Sequence, residues 1–275
     1  KSDSKVRYYE RQMESLISSD MFAYPVKSAL DEALEAYDYM FKDRKHLGIP
    51  AVWNIGAYYG EIKKGHKEKS KDKIKIYFGN RITDTAGRYT NWHIFAEAIG
   101  KLSKLTDPNN FEAIMLNPTK KVTDSQMKEI EKLSNGYVKV LPNDSSFTRE
   151  EYIEFINDAH VSCNLFTNEV HGGLTHVEAM MAGCIMVAPA LNDYLHKYED
   201  SKNIENYPFL IKTENKKINM NSFVNSLLAS ISSWKITEGE NSYSELNKTL
   251  AYKYASYEHS AKIISNDLQT LLKQY

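Results

Sequence analysis

Cysteine is nearly absent: only Cys163 and Cys184 occur, each inside an apolar run, Val161–Phe166 and Gly183–Val187. Two such residues build no disulfide framework, and no Cys/His spacing of the zinc type accompanies them. They read as two reduced, buried thiols. Glycine and proline are sparse, 12 and 7 in 275 residues, which argues against low-complexity disorder. No charge of one sign prevails, since 35 basic residues face 36 acidic ones. A chain-wide field for nucleic acid or membrane is therefore not implied. No apolar run is long enough to span a bilayer and no secretory signal stands at the start, so a cytoplasmic setting is the default expectation. Because the first residue is Lys1 rather than Met, the chain reads as a piece of something longer.

What is present is the composition of a globular domain, 42% hydrophobic and 26% charged. Met21–Pro25 is a short apolar strand. Residues 28–45 follow with helical spacing of Leu30, Ala33, Leu34, Tyr37, Met40 and Phe41. Ile49–Ile55 is a second extended run. Residues 61–72 hold lysines at 63, 64, 67, 69 and 71 and little that is apolar, so they read as a solvated linker and the best domain boundary.

Beyond it the pattern becomes regular. Strands are expected at 73–79, 111–116, 137–141, 161–166, 185–188 and 208–211. Helices are expected at 92–105, 123–133, 148–159, 174–182 and, after the last strand, at 219–234, 241–255 and 257–273. Strand and helix alternating through short connections imply parallel strands joined by right-handed crossovers, an α/β fold with helices on both faces of the sheet. Ligands bind such sheets beyond the carboxyl ends of the strands, where helices begin.

Two loops there carry chemistry. After Phe166 runs Thr167-Asn-Glu-Val-His-Gly-Gly-Leu-Thr-His-Val-Glu-Ala-Met-Met-Ala-Gly183. Gly172 and Gly173 allow close backbone approach to a ligand. The helix opening near Leu174 offers unpaired amides and the positive end of its dipole, a natural phosphate seat, with the Thr175 hydroxyl as a further donor. Glu178, one turn in, is placed to accept from a sugar diol. Thr175-x-x-Glu178 is equally a capping box that needs no ligand. The other loop, after Phe78, holds Arg81 and Arg88 before a helix, the residue type suited to bidentate phosphate recognition.

The run from Glu169 through Gly-Leu-Thr, Glu178-Ala-Met and Gly183 to an apolar strand resembles the signature of retaining GT-B glycosyltransferases (group 1, family 4-like). The resemblance covers about residues 73–275. It implies a Rossmann-like GT-B C-terminal half at 73–255 that binds a nucleotide diphosphate sugar as donor substrate, with no separate cofactor. It also implies a partial N-terminal, acceptor-side domain at 1–60 and a C-terminal helix, 256–275, crossing back toward it. Glu169 would contact the donor sugar, and Gly173, Leu174 and Thr175 the diphosphate. Glu178 would hold the ribose. Arg81 and Arg88 would offset charge on the leaving phosphate, Arg88 in place of the family's lysine. Glu169 and Glu178 have eight residues between them where the family has seven, so Glu169 is a conditional member. His171 is placed either to touch phosphate or sugar, or to fill the loop. No metal is implied, because no Asp-x-Asp pair stands at a strand end. The acceptor is open; a modified DNA base, as in phage enzymes with a similar motif, is less favoured by the near-neutral charge. Epimerase or phosphorylase activity on the same architecture, and a non-catalytic nucleotide- or partner-binding protein, stand as alternatives.

Overall fold

The structure, a computed structural model, describes residues 21–24, 27–41, 48–53, 59–70, 72–80, 82, 90–117, 122–141, 147–167, 174–189, 207–215, 217–237 and 241–273. The chain divides into two compact units, Lys1–Gly56 with Tyr257–Tyr275, and Ala57–Ser256.

In the smaller unit β1 (Met21–Tyr24) pairs in parallel with β2 (Ile49–Val52), Met21 opposite Ile49. Helix α1 (Lys27–Phe41) turns Leu30 and Tyr37 onto Phe22, the three forming a small core. The indole of Trp53, just past β2, donates to Asp267 Oδ2 at 2.9 Å, which ties in α9 (Tyr257–Leu272).

The larger unit begins with α2 (Tyr59–Lys64). Then come β3 (Ile74–Phe78), α3 (Trp92–Leu102), β4 (Phe111–Leu116), α4 (Asp124–Leu133), β5 (Val138–Leu141), α5 (Arg149–Asp158), β6 (Val161–Cys163), α6 (Leu174–Met181) and β7 (Ile185–Pro189). Short strands β8 (Leu210–Ile211), β9 (Thr213–Glu214) and β10 (Lys217–Ile218) precede α7 (Met220–Ile236) and α8 (Ser242–Ala255). Six strands form one parallel sheet in the order β5-β4-β3-β6-β7-β8. Helices α3, α4 and α7 pack together on one face, and α2, α5, α6 and α8 on the other. The central strands are apolar on both faces for this reason: Ile74, Ile76, Tyr77 and Phe78 are all fully buried, as are Ile185, Met186 and Val187.

Local chemistry fixes the helix ends. Thr123 and Thr148 cap α4 and α5, each with a complete capping box to Gln126 and Glu151. Helix α6 ends in a Schellman arrangement, with Gly183 at φ 74, its N–H on the Met180 carbonyl and Cys184 N–H on that of Ala179. Cys163 and Cys184 are free and buried.

Two expectations are corrected here. Part of the lysine-rich segment is packed rather than solvated, because α2 buries Ile62 completely against its neighbours. A single isoleucine among lysines makes too weak a stripe to reveal that. The hairpin β9–β10, turned at Asn215 with φ 51, was not expected; strands of two residues carry no periodicity. Among the described residues no helix is long and apolar enough to cross a membrane.

Candidate functional site

Chain direction reverses at the middle of the sheet. From β3 the chain winds outward through β4 to β5, then returns to β6 and winds the other way through β7 to β8. Between β3 and β6 the two crossovers leave to opposite sides, which opens a crevice at the carboxyl ends of those strands.

Polar side chains gather there. Asn80, two residues past β3, donates from Nδ2 to Asn164 Oδ1 at 3.3 Å. Asn164, the residue after β6, also accepts from Phe166 N–H at 3.3 Å. Because that oxygen faces two donors, the amide nitrogen of Asn164 must face His176, and it lies 3.0 Å from Nδ1. Nδ1 then accepts, which leaves the ring proton on Nε2. The three side chains are buried and lock the first turn of α6 to the ends of both central strands. Asn91, at the start of α3 with φ 55, donates to the Leu165 carbonyl at 2.6 Å and so holds the loop after β6 from the other side. Thr90 beside it is 1% exposed, and its hydroxyl has no hydrogen-bond partner among the described residues.

Glu178 is the charged centre of this end. It is 6% exposed, and Oε1 lies 2.6 Å from Arg149 Nη2. Arg149 opens α5; its Nη2 and Nε also reach Glu61 Oε2 on α2, at 2.9 and 3.2 Å. Burial opposes the guanidinium charge, but the bonds to Glu178 and Glu61 outweigh it, and the pKa stands above its ordinary value. The hydroxyl of Tyr152 is buried beside the same carboxylate. Burial first, and the Glu178 charge second, push its pKa well up, so it stays a neutral phenol.

Of the residues singled out in the sequence, Leu174 and Thr175 lie exposed at the start of α6 and Glu178 lies buried one turn on. Glu169, His171, Gly172, Gly173, Arg81 and Arg88 lie outside the described residues. The capping-box alternative for Thr175 and Glu178 is not realised: the helix already includes Leu174, and the carboxylate turns to Arg149. Asn80, Asn164, His176, Arg149 and Tyr152 were not anticipated. Asn80 and Asn164 carried a usable signal, since each stands within two residues of the end of an apolar strand at the switch point. Arg149 carried none, being one charge within Thr148-Arg-Glu-Glu151.

No family model matches the chain, and neither does any curated protein sequence. Solved structures do. The GtfA/B complex matches with a TM-score of 0.67 at 14% identity, over 96% of this chain and 48% of that one. An α,α-trehalose 6-phosphate synthase from Burkholderia multivorans matches with 0.70 at 9%, over 96% and 62%. The E. coli trehalose-6-phosphate protein bound with UDP-2-fluoro glucose matches with 0.66 at 12%, over 94% and 62%. The fold is GT-B. The chain thus spans between about half and two thirds of the length of these GT-B structures.

Within the GT-B sheet a cleft of about 430 Å³ lies at the opposite, amino end of the strands. His66, Lys69, Asn157, Ala182, Trp234 and Lys248 are among the residues lining it. It stands at the ends of α5 and α6 rather than at their starts. Helices α5 and α6 reach it with their carboxyl ends, while α8 begins at it, with its cap Asn241 and its first-turn Ser244 in the lining.

Proposed function

We propose that this chain carries the donor-binding part of a glycosyltransferase that moves a sugar from a nucleotide diphosphate sugar, with retention of configuration, to an acceptor still to be identified. The observation that carries the reading is the buried Glu178 carboxylate, oriented by Arg149 one turn inside the helix that opens at the switch point. A nucleoside diphosphate fits that arrangement: its phosphates meet the first-turn amides at Leu174 and Thr175, and its ribose diol donates to Glu178. The GT-B neighbours support the reading, since one is a structure bound with UDP-2-fluoro glucose.

In this reading the helix start and the arginines Arg81 and Arg88 stabilise negative charge as it develops on the leaving phosphate. The roles of Gly172 and Gly173 at the phosphate, and of Glu169 and His171 at the donor sugar, are those that the sequence and its family resemblance assign. Residues 1–60 belong to the acceptor side, and the C-terminal helix returns to that side. No metal is invoked. The protein works in the cytoplasm, on a saccharide, lipid or protein acceptor in preference to nucleic acid.

Titration calorimetry with UDP, GDP and ADP, then with their glucose conjugates, tests the donor. One nucleotide should bind in the micromolar range, and Glu178→Ala should weaken it by roughly 100-fold. Equal affinity in Glu178→Ala would sink the assignment. Product anomers read by NMR test retention, and donor binding without transfer to any acceptor would replace catalysis by binding alone.

A further inference from the structure

We propose that Arg149 is a positioning residue for the donor: bridging Glu61 and Glu178, its guanidinium sets the Glu178 carboxylate toward the ribose hydroxyls and offsets its charge beside the diphosphate. This rests on the donor reading of the site given above.

The geometry carries the role. Three helices on one face of the sheet each supply one member: Glu61 on α2, Arg149 on α5 and Glu178 on α6. Side-chain exposure falls inward along the chain of contacts, from 36% and 40% at Glu61 and Arg149 to 8% at Glu178. The outer carboxylate thus anchors the guanidinium at the surface, and the inner one is the group that is held. Arg149 Nη2 lies 2.6 Å from Oε1 of Glu178. A carboxylate has about four lone-pair positions, so acceptor capacity for a vicinal diol remains. Left alone, the glutamate would sample several rotamers and lose alignment with the diol. It would also set an uncompensated negative charge near the phosphates that α6 attracts. A lysine at 149 supplies the charge but not the planar fork that reaches two carboxylates at once.

Calorimetry of the full chain with UDP, 2′-deoxy-UDP and uridine, repeated in the guanine and adenine series, tests this. The parent should favour the ribonucleotide over its deoxy form by roughly tenfold. Arg149→Gln should bring that preference within about twofold and weaken the diphosphate more than the nucleoside. Arg149→Lys should recover much of the diphosphate affinity but little of the ribose preference. Glu61→Gln, which touches only the outer anchor, should lower the preference about twofold. An unchanged ribose preference in a folded Arg149→Gln overturns the inference and leaves the donor reading intact. If that variant does not fold, unchanged preference in both Arg149→Lys and Glu61→Gln overturns it equally. If the parent binds no nucleoside diphosphate, the donor reading itself falls, and the inference with it.

Discussion

The carboxyl end of the sheet holds a buried carboxylate against a guanidinium, while at the amino end burial lowers the pKa of two basic side chains, Lys69 and His160. At the carboxyl end Glu178 meets Arg149 at 2.6 Å and a second carboxylate holds the guanidinium. At the amino end Lys69 donates to the Ala159 carbonyl and sits 3.8 Å from Cys184 Sγ, with no ion pair among the described residues. Burial lowers its pKa. His160, in the same layer, accepts from Lys75 N–H on Nδ1 at 3.1 Å, reaches the Ser70 carbonyl from Nε2 and packs edge-on to Trp234. Burial, then the Lys69 charge, bring its pKa down to about 4. Lys69 and His160, near the floor of the sheet, have no ion pair with a carboxylate among the described residues, and burial works against their charged forms.

The strongest test of that contrast is acid. The folded pKa of His160 lies at about 4, below the unfolded value near 6.5, so the unfolded chain takes up the proton first. Its contribution is complete above pH 6.5 and is lost as pH falls toward 4, by about 3 kcal/mol in all. Protonating Nδ1 would set a new N–H against the Lys75 amide that now donates to it. Denaturant unfolding from pH 7.5 to 4 checks this. His160→Gln should be less stable at neutral pH, and the gap to the parent should close as the solution is acidified. Parallel curves would mean that the amino end does tolerate the charge.

The same contrast explains what could be read from sequence. The sheet was legible because its strands are continuous apolar runs, Ile185–Ala188 for instance, set between helices with clear caps such as Thr123 and Thr148. Glu178 was legible because a carboxylate one turn into a Gly-Gly-opened helix is chemically pointed. Its partner was not, because Arg149 is brought to it by the crossing of α5 and α6, a tertiary event that no local spacing encodes. His160 was hidden for a related reason. It stands just before an apolar strand, and only the fold shows which carbonyl and amide it satisfies.

Helix α6 joins the two ends, and its last turn offers a way to ask whether they are coupled. Gly183 lies at φ 74, and a Cβ there would stand 2.5 Å from Lys248 Cε and 2.6 Å from Ser244 Oγ. The lysine end can swing aside, but the backbone conformation and the serine remain. Gly183→Ala should therefore cost about 1–2 kcal/mol, seen as a lower thermal midpoint. Nucleotide affinity at the other end of the helix should stay within about twofold, because the Asn80–Asn164–His176 chain pins the first turn to the strand ends independently. A fall in affinity that tracks the loss of stability would show the two ends to be one unit.

Lys69→Met is the mildest probe and the most specific to the amino end. The substitution keeps an unbranched apolar stem against Trp234 and Cys184, removes a charge that burial disfavours, and gives up the bond to the Ala159 carbonyl. At pH 7 the net should be small and stabilising, about 1 kcal/mol or less. The pH dependence decides the cause. The folded pKa of Lys69 is below the unfolded value near 10.4, so the parent gains stability as pH rises from the lowered pKa toward that value. The methionine variant has no such gain. Its advantage should shrink as pH rises through the lowered folded pKa toward the unfolded value near 10.4, whereas an advantage that came only from better packing would be the same at every pH.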